Sequence, residues 1–180
     1  MSGETTAPER DELYASSIRA YGQALDRLAR GYEADPEKRR DLRQEIHLRL
    51  WTSLAAFDGR CSLRTWTFRV AHNTAATWVS RERRNRVLLV SLEDIEQSLA
   101  YGRGEPDIDH HRALTQLAQL IHQLKPLDRQ IMLCYLEEMD SAAIAEITGL
   151  SPANVSMKVH RIKTILARQF QQCAKDQHHA

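Results

Sequence analysis

The stretch from Asp140 to Phe170 constrains this chain most, because its punctuation leaves little choice of local structure. Asp140 or Ser141 stands where a helix N-cap is wanted, ahead of Ile144 and Ile147 on one helical side. Gly149 follows as the residue best able to adopt the left-handed conformation that ends a helix. Ser151 and Pro152 then offer an N-cap and a first-turn proline for a second, longer helix. Two helices joined by a short turn containing Gly make a helix-turn-helix. The second helix carries Lys158, His160, Arg161, Lys163 and Arg168, and no acid occurs from Ser151 to Lys175. A basic helix after such a turn is the element that enters a DNA major groove. A helical hairpin with a solvated basic face is the blander alternative; turn, cap and charge together favour DNA.

The net charge of +1 conceals a strong segregation along the chain. From Arg60 to Arg86 there are seven arginines against the single acid Glu82, and from Ser91 to His111 six acids against Arg103 alone. Two cationic surfaces on either side of an anionic connector suit two separate phosphate contacts on one nucleic acid. Hydrophobic content of 42% with 27% charged residues fits a soluble globular protein. No apolar run approaches the roughly 18 residues of a membrane-crossing helix, and the polar N-terminus is no secretory signal, so a cytoplasmic location is expected. Cys61, Cys134 and Cys173 lie far apart and form no CxxC pair, which argues against a disulfide framework. Cys134 reads as a small core residue; Cys61 falls in a loop.

In chain order, residues 1–11 read as a disordered lead-in. Tyr14, Ile18, Tyr21, Leu25, Leu28 and Tyr32 then form one apolar helical stripe that ends at Asp35-Pro36. A second helix, about 37–56, turns Leu42, Ile46, Leu50, Leu54 and Phe57 inward and leaves Asp41, Gln44, Glu45 and Arg49 on other faces. Trp51 fits either core or contact surface. Asp58-Gly59-Arg60-Cys61-Ser62 is a loop with Ser62 as N-cap of a third helix, about 63–84. That helix is expected to bury Leu63, Trp66, Thr67, Val70, Ala71, Thr74 and Trp78, with Arg64, His72, Asn73 and Ala76 away from the stripe. It ends in the arginine cluster 81–86, and Val87 to Leu92 reads as a short extended piece.

The acidic segment 91–111, with Gly102, Gly104 and Pro106, is longer than an ordinary connection inside a domain and reads as a flexible linker. The expected organisation is therefore all-α in two small domains, 12–90 and 112–172, with a tail at 173–180. In the second, Leu114, Leu117, Leu120, Ile121 and Leu124 share one helix, and Ile131, Cys134 and Tyr135 face inward from the next. No GxSxG, HExxH, P-loop or GxGxxG pattern occurs, so no enzyme is read here, and no cofactor. His72 and His160 lie in basic helices near arginines, where a phosphate or solvent contact is the expectation; the adjacent His178 and His179 lack further ligands for a metal.

Taken together, the two halves resemble the extracytoplasmic-function (group IV) sigma factors of bacterial RNA polymerase. Asp41-Leu42-Arg43-Gln44-Glu45, followed by Leu48-Arg49 and Trp51, is similar to that family's region 2.2. Residues 56–73, with their Trp-x-x-Arg-x-Ala-x-Asn spacing and the arginines that trail them, resemble regions 2.3 and 2.4, and Leu124 to Leu166 resembles region 4. The resemblance implies that Asp41, Gln44, Glu45 and Arg49 dock on the β′ coiled coil of core RNA polymerase. It implies that Asp58, Gly59, Arg60, Cys61, Ser62, Arg64 and Asn73 capture an unstacked base of the −10 element, with Arg81, Arg83, Arg84 and Arg86 on backbone phosphates. It implies that Pro152, Ala153, Asn154, Ser156, Met157, Lys158, His160, Arg161 and Lys163 read the −35 element, that region 4 touches the β flap, and that an anti-sigma factor restrains the protein.

Two departures stand out against that family pattern. His47 replaces a usual aromatic or aliphatic residue, and Ala153 to Lys158 replaces the commoner Gly-Thr-Val-Lys-Ser-Arg. Neither region 1.1 nor region 3 is seen. Asn154 suits adenine and Lys158 suits guanine in a major groove. The competing reading is a self-standing helix-turn-helix regulator that binds duplex DNA as a dimer. An interaction module whose basic faces serve only solubility is a third reading.

Overall fold

The computed structural model describes residues 6–89 and 117–176, and every regular element among them is helical. Helix α1 (Ala7–Tyr32), α2 (Pro36–Ser53) and α3 (Leu63–Leu89) pack on one another, with a 3-10 turn at Leu54–Ala56 between α2 and α3. Residues 117–123 form α4, followed by α5 (Pro126–Leu136), α6 (Ser141–Thr148) and α7 (Pro152–Asp176). The expected linker 91–111 lies outside the described residues.

The boundaries follow from local chemistry. Asp35 caps α2 by accepting from the Glu37 and Lys38 amides at 2.8 and 3.2 Å, with Pro36 at the first turn. Ser62 Oγ accepts from the Thr65 amide at 3.0 Å and so starts α3. Asp140, rather than Ser141, caps α6 through the Ala143 amide at 2.7 Å. Gly149 ends it at φ 75°, the left-handed geometry anticipated from sequence.

Two boundaries differ from the sequence expectation. The disordered lead-in gives way at Ala7, because the Glu9 carboxylate accepts from the Thr6 amide and hydroxyl at 2.9 Å each and closes the first turn. Asp11 then anchors the helix by accepting from Trp51 Nε1 at 2.9 Å, while the Arg10 guanidinium sits 3.7 Å from the Trp51 ring centre. At the other end, α3 continues to Leu89 instead of becoming extended after Arg86. No Gly or Pro interrupts the chain between Leu63 and Leu89, so nothing opposes propagation of the helix.

The core is built from the stripes read in the sequence: Leu25, Leu28 and Tyr32 from α1, and Leu42, Ile46, Leu50 and Leu54 from α2 and its turn. Burying each aliphatic side chain contributes about 1.5–3 kcal/mol relative to leaving it exposed. Helix α3 departs from a single stripe. Phe68, Ala71, Ala75 and Trp78 are buried, but so are Thr65, Thr67 and His72. The cause is a second packing partner: α3 lies against α1 and α2 on one side and against α5 and α6 on another. For the same reason α1 also touches α5, and the side chain of Leu133 fills the space left by Gly31.

Candidate nucleic-acid and polymerase interface

The loop before α3 is short, exposed and held by its own polar groups. The Asp58 carboxylate accepts from the Arg60 amide at 3.1 Å and pairs with its guanidinium at 3.2 Å, while Gly59 takes φ 73°. Asp58, Gly59, Arg60 and Ser62 are exposed and Cys61 is half-buried. Asn73 is exposed three turns further along α3, and Arg81 is exposed with its guanidinium 4.8 Å from the Trp78 ring centre. Loop and helix thus each expose polar groups, Asn73 and Arg81 on α3 and residues 58–60 and 62 ahead of it. Arg83, Arg84 and Arg86 continue the same helix, but their side chains lie outside the described residues.

Arg64 is placed differently from its neighbours. It is half-buried, and its guanidinium donates to the backbone carbonyl of Glu137 at the end of α5. His72 departs furthest from the sequence reading, which gave it a phosphate or solvent contact. It is 1% exposed, accepts or donates at Nδ1 with Tyr32 Oη at 3.0 Å, and meets Cys134 Sγ through Nε2 at 3.0 Å. Burial pushes its pKa down to about 3 and pushes the Cys134 thiol up to about 12, so both are neutral near pH 7. Arg69 one turn before His72 and the basic character of the helix pointed to the surface; the pattern carried no sign of the second helix layer that covers it.

On α2, Asp41, Gln44 and Arg49 are exposed and Glu45 is half-buried, with Glu45 and Arg49 paired at 2.9 Å. Leu48 stands among them with 56% of its surface exposed. His47, the departure noted in the sequence, packs edge-on against Tyr14 and hydrogen-bonds its hydroxyl through Nδ1 at 2.8 Å. Burial, then the neighbouring Arg43, depresses its pKa, and in the neutral form it fills the place of an apolar ring. Trp51 is settled as a contact with α1.

The helix-turn-helix presents an exposed N-terminal face on α7: Pro152, Ala153, Asn154, Ser156 and Met157, then His160, Arg161 and Lys163. Val155, Ile162 and Leu166 are buried beneath it, and Ile144 and Ile147 anchor α6 against them. Met157 is 66% exposed. Three of the expected contacts already have partners. Ser156 Oγ lies 2.8 Å from Ser141 Oγ, Lys158 Nζ donates to Asp128 Oδ1 at 2.8 Å, and Lys163 Nζ donates to Tyr135 Oη at 3.2 Å. Tyr135, expected inward, is 37% exposed; Met132 and Leu133 are buried instead because α5 also faces α1 and α3. Among the described residues no cluster of His, Cys, Asp or Glu is arranged to hold a metal, and no helix is long and apolar enough to cross a membrane.

Comparison with known proteins gives the family. Residues 17–85 match the family model for Sigma-70 region 2, and residues 114–166 match that for Sigma-70, region 4. The chain belongs to the sigma-70 family of RNA polymerase sigma factors. Within that family it is of the extracytoplasmic-function type. It is 26% identical over 135 residues to RNA polymerase sigma factor YlaC of Bacillus subtilis, covering 74% of this chain and 78% of that protein. It is 30% identical over 155 residues to ECF RNA polymerase sigma factor SigG of Mycobacterium tuberculosis, covering 82% of this chain but 35% of that longer protein. The fold is that of the sigma factor RpoE of Bartonella quintana, solved with the anti-sigma factor NepR: TM-score 0.66, 17% identity, 88% of this chain and 96% of that one. It is also that of CnrH, solved with the cytosolic domain of CnrY, at TM-score 0.63 and 19% identity over 88% of each chain.

Proposed function

We propose that the chain divides promoter recognition between two domains, about 12–90 and 112–172, and acts by binding rather than by catalysis, in the cytoplasm where core polymerase works. The observation that carries this reading is the pairing, in one chain, of an exposed helix-turn-helix face with a separate loop-and-helix surface on α3. A self-standing regulator needs only the first. The α7 face from Pro152 to Lys163 reads the −35 duplex, with Asn154 and Lys158 as the base-edge contacts. The loop Asp58–Ser62 with Asn73 holds a base flipped from the −10 strand, and that binding offsets an unstacking cost of a few kcal/mol. Arg81, Arg83, Arg84 and Arg86 hold the phosphates beside it.

The α2 face docks on the β′ coiled coil. Asp41, Gln44, Glu45 and Leu48 recur at helical spacing, and an exposed leucine within a charged stripe suits a partner helix. The C-terminal helices engage the β flap, and an anti-sigma factor, of the kind solved with RpoE of Bartonella quintana, restrains the protein by covering these faces. Run-off transcription with purified core polymerase on genomic fragments tests the reading. Stimulation of specific start sites is expected; folded protein with active core and no specific start would sink it.

A further inference from the structure

Helix α7 carries two adjacent rows of side chains near its start, and only one of them can form hydrogen bonds. Asn154 and Lys158 stand about one turn apart in the first row. Ala153 and Met157, at the same spacing, stand in the second, rotated by a single residue. The second row is apolar, yet both of its members are exposed. Met157 leaves 66% of its surface in solvent, more than any other large apolar side chain among the described residues. Val155, Ile162 and Leu166 are buried on another side of the helix, so the packing of α7 does not depend on Met157.

The surroundings of Met157 define what covers it. No acid occurs from Ser151 to Lys175, and His160, Arg161 and Lys163 are exposed on the following turn. A cationic rim around an apolar centre suits a polyanion that carries an apolar patch, rather than an apolar protein surface. The major groove has one such patch, the 5-methyl group of thymine; the other groups by which base pairs are told apart there are donors and acceptors. The neighbours of Met157 are also drawn aside. Ser156 Oγ lies 2.8 Å from Ser141 Oγ on α6, and Lys158 Nζ donates to Asp128 Oδ1 on α5 at 2.8 Å. Ser151 Oγ accepts from the Asn154 amide at 3.3 Å and fixes the first turn. Ala153 ends in a methyl group, which lets the backbone approach the base edges closely.

We infer that Met157, with Ala153 beside it, is a specificity-determining residue that selects a thymine of the −35 element through its 5-methyl group. The unbranched, polarizable thioether can settle over that methyl without a fixed rotamer. This contact adds an apolar component to the hydrogen bonds of Asn154 and Lys158, and it rests on the reading of α7 as the −35 helix.

Removing one methyl group from the DNA tests the inference without altering any hydrogen bond. The full-length chain with core polymerase is bound to a duplex carrying the strongest promoter found by run-off transcription. Each thymine of the −35 segment, on either strand, is replaced in turn by deoxyuridine. At one thymine, or two neighbouring ones, the parent loses affinity about fourfold, the worth of one buried methyl group. Met157→Ala binds the thymine duplex more weakly by a similar factor and no longer distinguishes uracil from thymine there, whereas Met157→Leu still does. Met157 is mostly exposed, so these variants keep the parent's thermal midpoint. A parent indifferent to uracil at every position, or a −35 segment without thymine, overturns the inference. So does a Met157→Ala variant that keeps the parent's sensitivity, since another group then reads the methyl. A complex that binds the promoter no better than a scrambled duplex overturns the −35 reading itself, and the inference falls with it.

Discussion

His72 Nε2 lies 3.0 Å from Cys134 Sγ, although 62 residues and the whole acidic segment separate them in the chain. The pair joins the region 2 and region 4 helices through two groups that are both neutral near pH 7. Neutrality is the condition of the contact, since a buried imidazolium facing a thiol and a phenol would lack a counter-ion.

That condition makes stability depend on pH with a definite sign. The folded-state value of His72 lies at about 3, below the ordinary 6.5, so the unfolded chain takes up a proton first as pH falls. Stability is therefore complete above pH 6.5 and is lost progressively below it, by about 1.4 kcal/mol per pH unit until the folded-state value is reached. His47 and His122 are shifted in the same direction, mainly by burial, and add to the effect. Denaturant midpoints at pH 7.5 and pH 5 should show the loss, and His72→Gln should show less of it. A midpoint that rises toward pH 5 would contradict the assignment.

The turn between α6 and α7 is the second place where a single residue decides. Asp140→Ala removes the cap on the Ala143 amide and should cost about 1 kcal/mol. Gly149→Ala forces an L side chain to φ 75° and should cost about 1–2 kcal/mol, even though open space surrounds the new methyl. Chemical denaturation distinguishes the causes: Asp140→Asn should retain most of the stability, whereas no β-carbon-bearing residue should replace Gly149 without loss except Asn in part.

How far these features were legible in the sequence depends on how many surfaces an element packs against. Helices α1 and α2 each bury one main stripe, so a 3.6-residue period sufficed to pick out Leu25, Leu28, Leu42, Ile46 and Leu50. The caps and the left-handed Gly149 were legible because turn chemistry is local. Phe68 and His72 were not, because α3 is covered from two directions and its apolar pattern blurs into the arginines. Trp51 and the start of α1 fix each other across 40 residues, which no local pattern records. For the candidate site, Asn73, Met157 and most of the α2 face are exposed as their helical positions led one to expect, while the partners of Arg64 and Lys158 could only come from the fold.

Lys158 shows what such a partner implies. In the free chain its ammonium is bound to Asp128 at 2.8 Å, so contact with a base must break or share that pair. Asp128→Asn should release the lysine and strengthen binding of a −35 duplex, whereas Lys158→Gln should weaken it by about 1–3 kcal/mol at the base it reads. Fluorescence anisotropy on matched and mismatched duplexes measures both. Equal weakening by the two substitutions would instead make the pair a support for α7 and remove Lys158 from the reading face.

The arginines after Trp78 should behave as phosphate contacts. Replacing Arg83 and Arg84 with Gln should weaken promoter binding for every sequence alike and lower the slope of log affinity against log salt by about one unit per lost contact. Loss confined to one promoter sequence would assign them to base reading.

Leu48 and Asn73 lie on different helices and allow polymerase docking to be separated from strand opening. Leu48→Asp places a charge in an exposed apolar position and leaves the core beneath α2 intact, since Leu42, Ile46 and Leu50 face the other way. It should abolish binding to core polymerase with little change in thermal stability, as surface substitutions usually stay within about 0.5 kcal/mol. Asn73→Ala removes an exposed amide from α3 and should leave core binding as it was. It should slow formation of the open complex, read by permanganate reactivity of unpaired thymines. On a template with the −10 segment already mismatched, unstacking no longer has to be offset by base capture. The defect of Asn73→Ala should then shrink if the residue aids opening and persist if it only reads the base, while that of Leu48→Asp should remain in full.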